Sequence, residues 1–149
     1  MTKHVYQPIL MKFKVKKLVP EAKLPTRAHA NDAGLDLYSL EGATIAPGEG
    51  KVLRTGIAAE FNPGQVGMLT DRSSMAKQGF KVAGGIIDAG YTGELNVVLR
   101  NITQETLFVQ AGNKIAQLLI IPILTPEVEE VKELSSSERG SKGFGSSGK

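Results

Sequence analysis

Apolar and polar residues alternate along most of this chain with a period of two, which is typical of β-strands that bury one face. The alternating runs are short and are separated by turn residues such as Pro47-Gly48 and Asn62-Pro63-Gly64. The runs cover residues 11–18, 35–38, 51–61, 65–69, 93–101 and 114–124. Many short strands at this spacing predict an all-β fold of the sandwich, barrel or jelly-roll type.

One segment departs from the strand pattern. Ser73–Gln78 is predicted to form a short helix, with a serine as its N-cap and Gly79 at its end. It is the only helix that the pattern indicates.

The chain length predicts a single domain followed by a tail. Its 149 residues, 41% of them hydrophobic, suffice for one folded unit with its own core. Two prolines interrupt the chain after the last long run, and an acidic stretch then leads into Ser135-Ser136-Ser137. We therefore predict a β domain over residues 1–134, with an N-terminal extension at 1–10, and a flexible tail over 135–149.

Composition excludes several kinds of chemistry. The chain has no cysteine, which excludes disulfides, thiolate zinc sites and a cysteine nucleophile. Its two histidines, His4 and His29, do not form a metal-binding pattern, so we expect both to lie at the surface.

Charge and hydropathy argue against nucleic acid and membrane partners. The net charge is +3, but Lys12, Lys14 and Lys16 alternate with Phe13 and Val15, as on the solvated face of a strand. The chain shows no nucleic-acid-binding motif and has few aromatic residues for base stacking. No apolar stretch approaches the roughly 18 residues that span a bilayer, and no signal peptide is evident. We expect a soluble, cytoplasmic protein.

Polar groups concentrate in glycine-rich segments at residues 32–37, 71–76 and 84–94. In the second segment, Arg72 precedes Ser73 and Ser74 at the start of the predicted helix, where guanidinium, hydroxyls and backbone N–H groups can converge on a phosphate. The alternative is an ordinary helix cap beside a surface arginine. In the third segment, Asp88 is placed to activate a water, or else it forms a simple turn before Gly90.

The tail carries a single aromatic residue among glycines and serines. Phe144 can stack on a flat ligand while Arg139 and the pair Ser146-Ser147 hold anionic oxygens. The alternative is a disordered end without a function.

Five segments, in this order, resemble the signature motifs of the homotrimeric deoxyuridine triphosphatase (dUTPase) family. They are residues 33–39, 72–76, 85–94, 112–118 and 139–148. The resemblance implies a β jelly roll and hydrolysis of dUTP to dUMP and pyrophosphate with Mg²⁺. It also implies the physiological role of keeping uracil out of DNA and supplying dUMP for thymidylate synthesis.

The resemblance also implies roles at the reacting phosphates. Asp88 would be the general base that deprotonates the water attacking the α-phosphorus. Asp36 would hold Mg²⁺ through the ion's water shell. The phosphate chain would be bound by Arg72, Ser73 and Ser74, with Gln117 positioning water or phosphate.

Other matching positions imply contacts with the nucleoside and closure of the site. Tyr91 would lie under the deoxyribose and exclude a 2′-hydroxyl, while the backbone of the strand end would read the uracil edge. Phe144 would stack on uracil, while Arg139, Ser146 and Ser147 would hold the γ-phosphate end. The strand residues are Gly85, Ile86 and Ile87, and Gly145 is a further predicted substrate-binding residue of the tail. By the same resemblance, the chain forms a homotrimer whose sites are shared between subunits.

Two positions depart from the family pattern, and two alternatives stay open. Ser74 stands where many members have Gly, and Val82 where some have an Asn that contacts uracil. The related dCTP deaminases are the nearest rival, but Val98 occupies the place of their catalytic Glu and Lys77 that of a second Arg. The other alternative is a dUTPase that also binds a regulatory protein.

Overall fold

The computed structural model describes residues 11–141, and within this range the chain forms eleven strands and one helix. The N-terminal extension and the predicted tail contacts Phe144, Gly145, Ser146 and Ser147 lie outside the described residues. The elements are β1 Val15–Lys17, β2 Leu35–Tyr38, β3 Ala43–Ile45, β4 Gly50–Leu53, β5 Ile57–Ala59, β6 Gln65–Thr70, α1 Ser73–Gln78, β7 Phe80–Ala83, β8 Ile86–Ile87, β9 Val97–Asn101, β10 Leu107–Val109 and β11 Lys114–Pro122.

The strands form antiparallel sheets in an all-β jelly roll, which confirms the predicted fold class. The largest sheet has four strands in the order β2-β11-β6-β8, and a second sheet has three in the order β4-β9-β7. Two further pairs, β1-β5 and β3-β10, complete the fold. No helix among residues 11–141 is long and apolar enough to cross a membrane.

The core is one cluster of apolar side chains drawn from both larger sheets and from the two strand pairs. The core forms because alternate residues of each strand point inward. On β9, for example, Val97, Leu99 and Asn101 are buried, while Arg100, between the last two, is exposed. Leu37 on β2 and Leu118 on β11 are also fully buried. Burial of these side chains fixes which face of each strand looks outward.

The predicted helix and several strands are confirmed. The helix has the predicted bounds, and Gly79 ends it in the left-handed conformation with φ 96°. The predicted serine cap is wrong, because Arg72 occupies the N-cap position and makes no side-chain capping bond.

The single run predicted at residues 51–61 is wrong, because two strands, β4 and β5, share it. Gly56 separates them with φ 71°, and a side chain there would lie 2.9 Å from the Ala22 Cβ. The pattern also missed β3, β7, β8 and β10. These strands have two to four residues each, too few to show a clear alternation.

One buried polar side chain joins three segments of the fold. Asn101 has no exposed surface, and its amide nitrogen donates to the carbonyl oxygens of Ile45 (3.0 Å) and Glu105 (2.7 Å). Its oxygen accepts bonds from the backbone N–H (2.9 Å) and the hydroxyl (2.8 Å) of Thr103. These bonds hold the β9–β10 loop against β3.

We expect Asn101→Ala to lower the free energy of unfolding by about 3 kcal/mol, because it leaves buried backbone groups without partners. Urea unfolding followed by circular dichroism measures this loss. Asn31→Ala, at an exposed position, is the matched control and should change stability by less than about 0.5 kcal/mol. Equal stability of the two variants would contradict this account.

Candidate active site

A cleft of about 480 Å³ brings together residues from three of the sequence motifs. It lies between the loop before β2, the start of α1 and the middle of β11. The lining residues are Ala28, Asp32, Ala33, Gly34, Asp36, Arg72, Ser73, Ser74 and Gln117.

Sheet register explains this convergence. Gln117 on β11 lies opposite Asp36 on β2 and, on its other side, opposite Thr70 at the end of β6. Arg72 follows two residues after Thr70. Three segments that are distant in sequence therefore meet because β11 lies between β2 and β6.

Arg72 is held in this cleft by a partly buried ion pair. Its Nε donates to Asp36 Oδ1 at 2.8 Å. Its Nη1 donates to the Lys114 carbonyl oxygen at 3.2 Å and to the Ser74 hydroxyl at 3.3 Å. The guanidinium therefore has a defined direction within the cleft, beside the two serine hydroxyls.

Asp36 is ionised and bridges two cations. Its Oδ2 accepts from Lys114 Nζ at 2.9 Å, while Arg72 holds the other oxygen. Burial alone would raise the pKa of this carboxyl, but the hydrogen bonds and charges of Lys114 and Arg72 outweigh burial and lower the pKa below its usual value. One carboxylate thus contacts two cations, and Asp32 adds a second carboxylate to the cleft lining.

The same geometry limits how Asp36 can contact a magnesium ion. Both carboxylate oxygens already contact a cation, and the side chain is 13% exposed. Within residues 11–141, no group of three or more His, Cys, Asp or Glu side chains is placed to hold a metal. These residues fit Mg²⁺ only through water, with phosphate oxygens of a substrate as the main ligands.

Gln117 is positioned by a hydrogen bond and by the lack of a side chain at Gly34. Its Nε2 donates to the Asp71 carbonyl oxygen at 2.8 Å. A Cβ atom at Gly34 would overlap Gln117 Oε1 and lie 2.9 Å from Gln117 Cδ. Glycine at this position leaves room for the amide at the base of the cleft.

The third motif lines a separate cleft of about 190 Å³, together with Asn96. The members from this motif are Ile86, Ile87, Asp88, Tyr91 and Glu94. Asp88 follows β8 directly and is exposed. The turn after it is closed by a backbone bond from the Tyr91 N–H to the Asp88 carbonyl oxygen (3.2 Å), so the carboxylate is not used to close the turn.

Tyr91 is fixed in this second cleft through its hydroxyl and its ring. The hydroxyl donates to the Glu94 carbonyl oxygen at 3.0 Å. The ring lies against Gly93, where an added Cβ would be 2.6 Å from Tyr91 Cζ. The residue is nevertheless 46% exposed, so part of its surface is accessible from the cleft.

The backbone of residues 84–87 crosses from the three-stranded to the four-stranded sheet. Gly84 and Gly85 make the crossing with φ 72° and 106°. The Gly85 carbonyl oxygen accepts from the Leu69 N–H at 2.7 Å, and an added Cβ at Gly85 would lie 2.6 Å from the Leu69 carbonyl oxygen. This close approach holds Gly85, Ile86 and Ile87 along β6.

The two clefts lie toward opposite ends of β6. Ile87 pairs with Gly67, so Asp88 lies beyond that end, whereas Arg72 lies beyond Thr70 at the other end. Gly67 and Thr70 are three residue steps apart on β6, a length of about 10 Å. The structure therefore divides the predicted site residues of one chain into two groups.

Sequence reasoning missed two charged residues that organise these groups. Lys114 lies inside the fourth motif but was assigned no role, and Asp71 immediately precedes Arg72. Their partners, Asp36 and Val82, are distant in sequence, so no local pattern reveals the contacts. Arg139 is exposed in the chain beyond β11.

Known proteins resemble this chain over nearly its whole length. The family model described as dUTPase matches residues 20–148. The deoxyuridine 5′-triphosphate nucleotidohydrolase of Clostridium tetani is 46% identical over 139 residues, covering 91% of this chain and 96% of that protein. The enzyme of the same name from Clostridioides difficile is also 46% identical, over 138 residues, with the same coverage of both chains.

Solved structures agree with the sequence comparison. A mutant of the Staphylococcus bacteriophage 80alpha dUTPase with dUpNHpp superposes with a TM-score of 0.86 at 36% identity, covering 92% of this chain and 98% of that one. A mutant of the dUTPase from phage phi11 of S. aureus, a protein that coordinates a structural Mg(II) ion, has a TM-score of 0.79 at 31% identity, covering 85% and 100%. The jelly roll and the two clefts agree with these matches, and the chain therefore belongs to the dUTPase family.

Proposed function

We propose that this protein hydrolyses dUTP to dUMP and pyrophosphate, which keeps uracil out of DNA and supplies dUMP for thymidylate synthesis. The observation that carries the proposal is the cleft in which Arg72, Ser73, Ser74 and Gln117 converge, in a chain that belongs to the dUTPase family. A cytoplasmic location remains a prediction.

The phosphate chain binds in this cleft. Arg72 directs its guanidinium there because Asp36 holds Nε, and the hydroxyls of Ser73 and Ser74 add donors. Gln117 positions a water or a phosphate oxygen. Mg²⁺ would screen the phosphate charge and polarise the phosphoryl group, and Asp36 would contact the ion through water.

Asp88 is the general base for the attacking water. Its exposed carboxylate lies beside Tyr91 in the second cleft and can accept the water's proton as the oxygen attacks the α-phosphorus. Pyrophosphate is the leaving group, and dUMP retains the new P–O bond. Tyr91 packs under the deoxyribose, where its ring leaves no room for a 2′-hydroxyl.

The uracil edge is read by the backbone of Gly85, Ile86 and Ile87. The tight approach of this segment to β6 holds its backbone groups in place. Their closeness to the base would exclude a 5-methyl group. Cytosine presents donors and acceptors in exchanged positions, which would leave buried polar groups unpaired. The tail residues Arg139, Phe144, Gly145, Ser146 and Ser147 then close over the nucleotide.

The deaminase alternative requires a catalytic glutamate that this chain lacks. Val98, at the position of the deaminase Glu, lies in β9 opposite Val52 and Ala83. The family match and the close relatives also favour the dUTPase interpretation. A regulatory partner remains an additional hypothesis without a specific feature in its favour.

The active protein is a homotrimer in which a phosphate cleft of one subunit faces the Asp88 cleft of another. Separation of the two clefts along β6 supports this arrangement. Exposed apolar side chains on the single chain also support association, because they lie on a sheet face and on the segment after β11. Examples are Val52 (58% exposed), Leu124 (93%) and Leu134 (88%).

The first test is a pyrophosphate-release assay with dUTP, dCTP, dTTP and UTP. We expect rapid release from dUTP alone and a loss of kcat of at least about 100-fold in Asp88→Asn, since the amide cannot accept the proton. Glu41→Gln is a matched control that removes an exposed carboxylate outside both clefts. Release from all four nucleotides, or full activity of Asp88→Asn, would refute the proposal.

Gly34→Ala should lower kcat/KM for dUTP by about 10- to 100-fold, because the new methyl group displaces Gln117. Gly50→Ala is the control, since its added Cβ would meet only the Arg100 guanidinium group, at 3.4 Å or more. In a Gln117→Ala background, Gly34→Ala should have little further effect. A full additional loss in that background would show that the clash with Gln117 is not the cause.

Shared sites can be tested by mixing two inactive variants, Asp88→Asn and Arg72→Ala. If each site combines the two clefts of different subunits, every mixed trimer retains one intact site and about one third of the wild-type activity. Co-expression with different affinity tags isolates the mixed species. An inactive mixed trimer would mean that both residues of a site come from one chain.

A further inference from the structure

The side chain of Asp71 makes a contact between the two larger sheets. Its Oδ1 accepts a hydrogen bond from the Val82 backbone N–H at 2.6 Å, and its Oδ2 pairs with Lys81 Nζ. Asp71 follows β6 in the four-stranded sheet, whereas Lys81 and Val82 belong to β7 in the three-stranded sheet.

The hydrogen bond lies at an open strand edge. β7 is the outer strand of its sheet and pairs only with β9 within that sheet. N–H groups on its other side need a partner from elsewhere, and Asp71 supplies one for Val82. The carboxylate thus takes the place of a neighbouring strand at this point.

The bond between Asp71 and the Val82 N–H affects the position of residues 85–87, because Val82 lies just before them in the chain. Val82 lies two residues before Gly84, where the chain begins to cross to the other sheet. After the crossing, Ile86 and Ile87 pair with β6. The path of residues 82–87 is therefore held at Val82 by Asp71 and at Ile86 and Ile87 by β6. A shift of β7 would move the backbone that reads the uracil edge.

We propose that Asp71 is a positioning residue for base selection: its hydrogen bond to the Val82 N–H sets the position of the strand that distinguishes uracil from 5-methyluracil. This inference rests on the proposed function, since it takes residues 85–87 as the uracil-reading segment. Asp71 itself does not contact the substrate. The hydrogen bond, and not the charge pair with Lys81, carries the effect.

A matched pair of double variants separates the hydrogen bond from the charge. Asp71→Asn/Lys81→Met removes both charges and keeps an oxygen that can accept the Val82 N–H bond. Asp71→Ala/Lys81→Met removes the charges and the acceptor. The measured quantity is the selectivity, defined as kcat/KM for dUTP divided by kcat/KM for dTTP.

We expect the selectivity of Asp71→Asn/Lys81→Met to stay within about twofold of wild type, and that of Asp71→Ala/Lys81→Met to fall about 10-fold or more, the scale on which a pocket rejects one methyl group. A purely structural role would lower the unfolding temperature of the alanine variant without changing this ratio. An unchanged ratio in both variants, or an equal fall in both, would overturn the inference.

Asp71→Glu keeps the test decisive if the alanine variant does not fold. It retains the charge but moves the carboxylate by one methylene group, so we expect it to lose selectivity as well. Wild-type selectivity in Asp71→Glu would overturn the inference. Failure of the wild-type protein to prefer dUTP would instead refute the proposed function, so the two failures are distinguishable.

Discussion

The position of β11 between β2 and β6 is the constraint on which the phosphate cleft depends. Burial of Ile115, Ala116 and Leu118 sets the register of this strand, because a slip of one residue would turn its apolar side chains outward. The pairing with β2 shifts between Lys114 and Ala116, which lets two consecutive residues be buried. The same register then places Gln117 beside Asp36 and Thr70. The core thus decides which polar side chains meet, although none of them contributes to the core.

Ion pairs then fix the positions of the charged side chains that the strand register brings together. Asp36 holds Arg72 and Lys114 together and so fixes the position of the Arg72 guanidinium in the cleft. The low pKa of Asp36 keeps this arrangement intact at neutral pH. The group's stability contribution is present above its unfolded pKa and is lost as the pH falls through its lower folded pKa. Asp71 behaves in the same way: burial opposes its ionisation, but Lys81 and the Val82 N–H lower its pKa.

The separation of the two clefts is the structural basis of the proposed assembly. In the proposed mechanism, Asp88 and the phosphate-binding residues act on one nucleotide although they lie toward opposite ends of β6, and a second copy would bring them together. The exposed apolar side chains of Val52, Leu124 and Leu134 would supply surface for that contact. Activity would then depend on association, and an isolated chain would carry only incomplete sites. The tail motif would add a further contribution from beyond β11.

The all-β class, the bounds of α1 and β2, and the motif residues can be predicted from the amino-acid sequence, because these depend on local periodicity, turn residues and short spacing. The division of those motifs between two clefts cannot, since it follows from the order of strands in the sheet. The run at residues 51–61 was divided by Gly56, whose conformation depends on packing against Ala22. The roles of Lys114 and Asp71 could not be predicted either, because their partners Asp36 and Val82 lie in other strands. The local sequence around a charged residue does not indicate which distant residue it contacts in the fold.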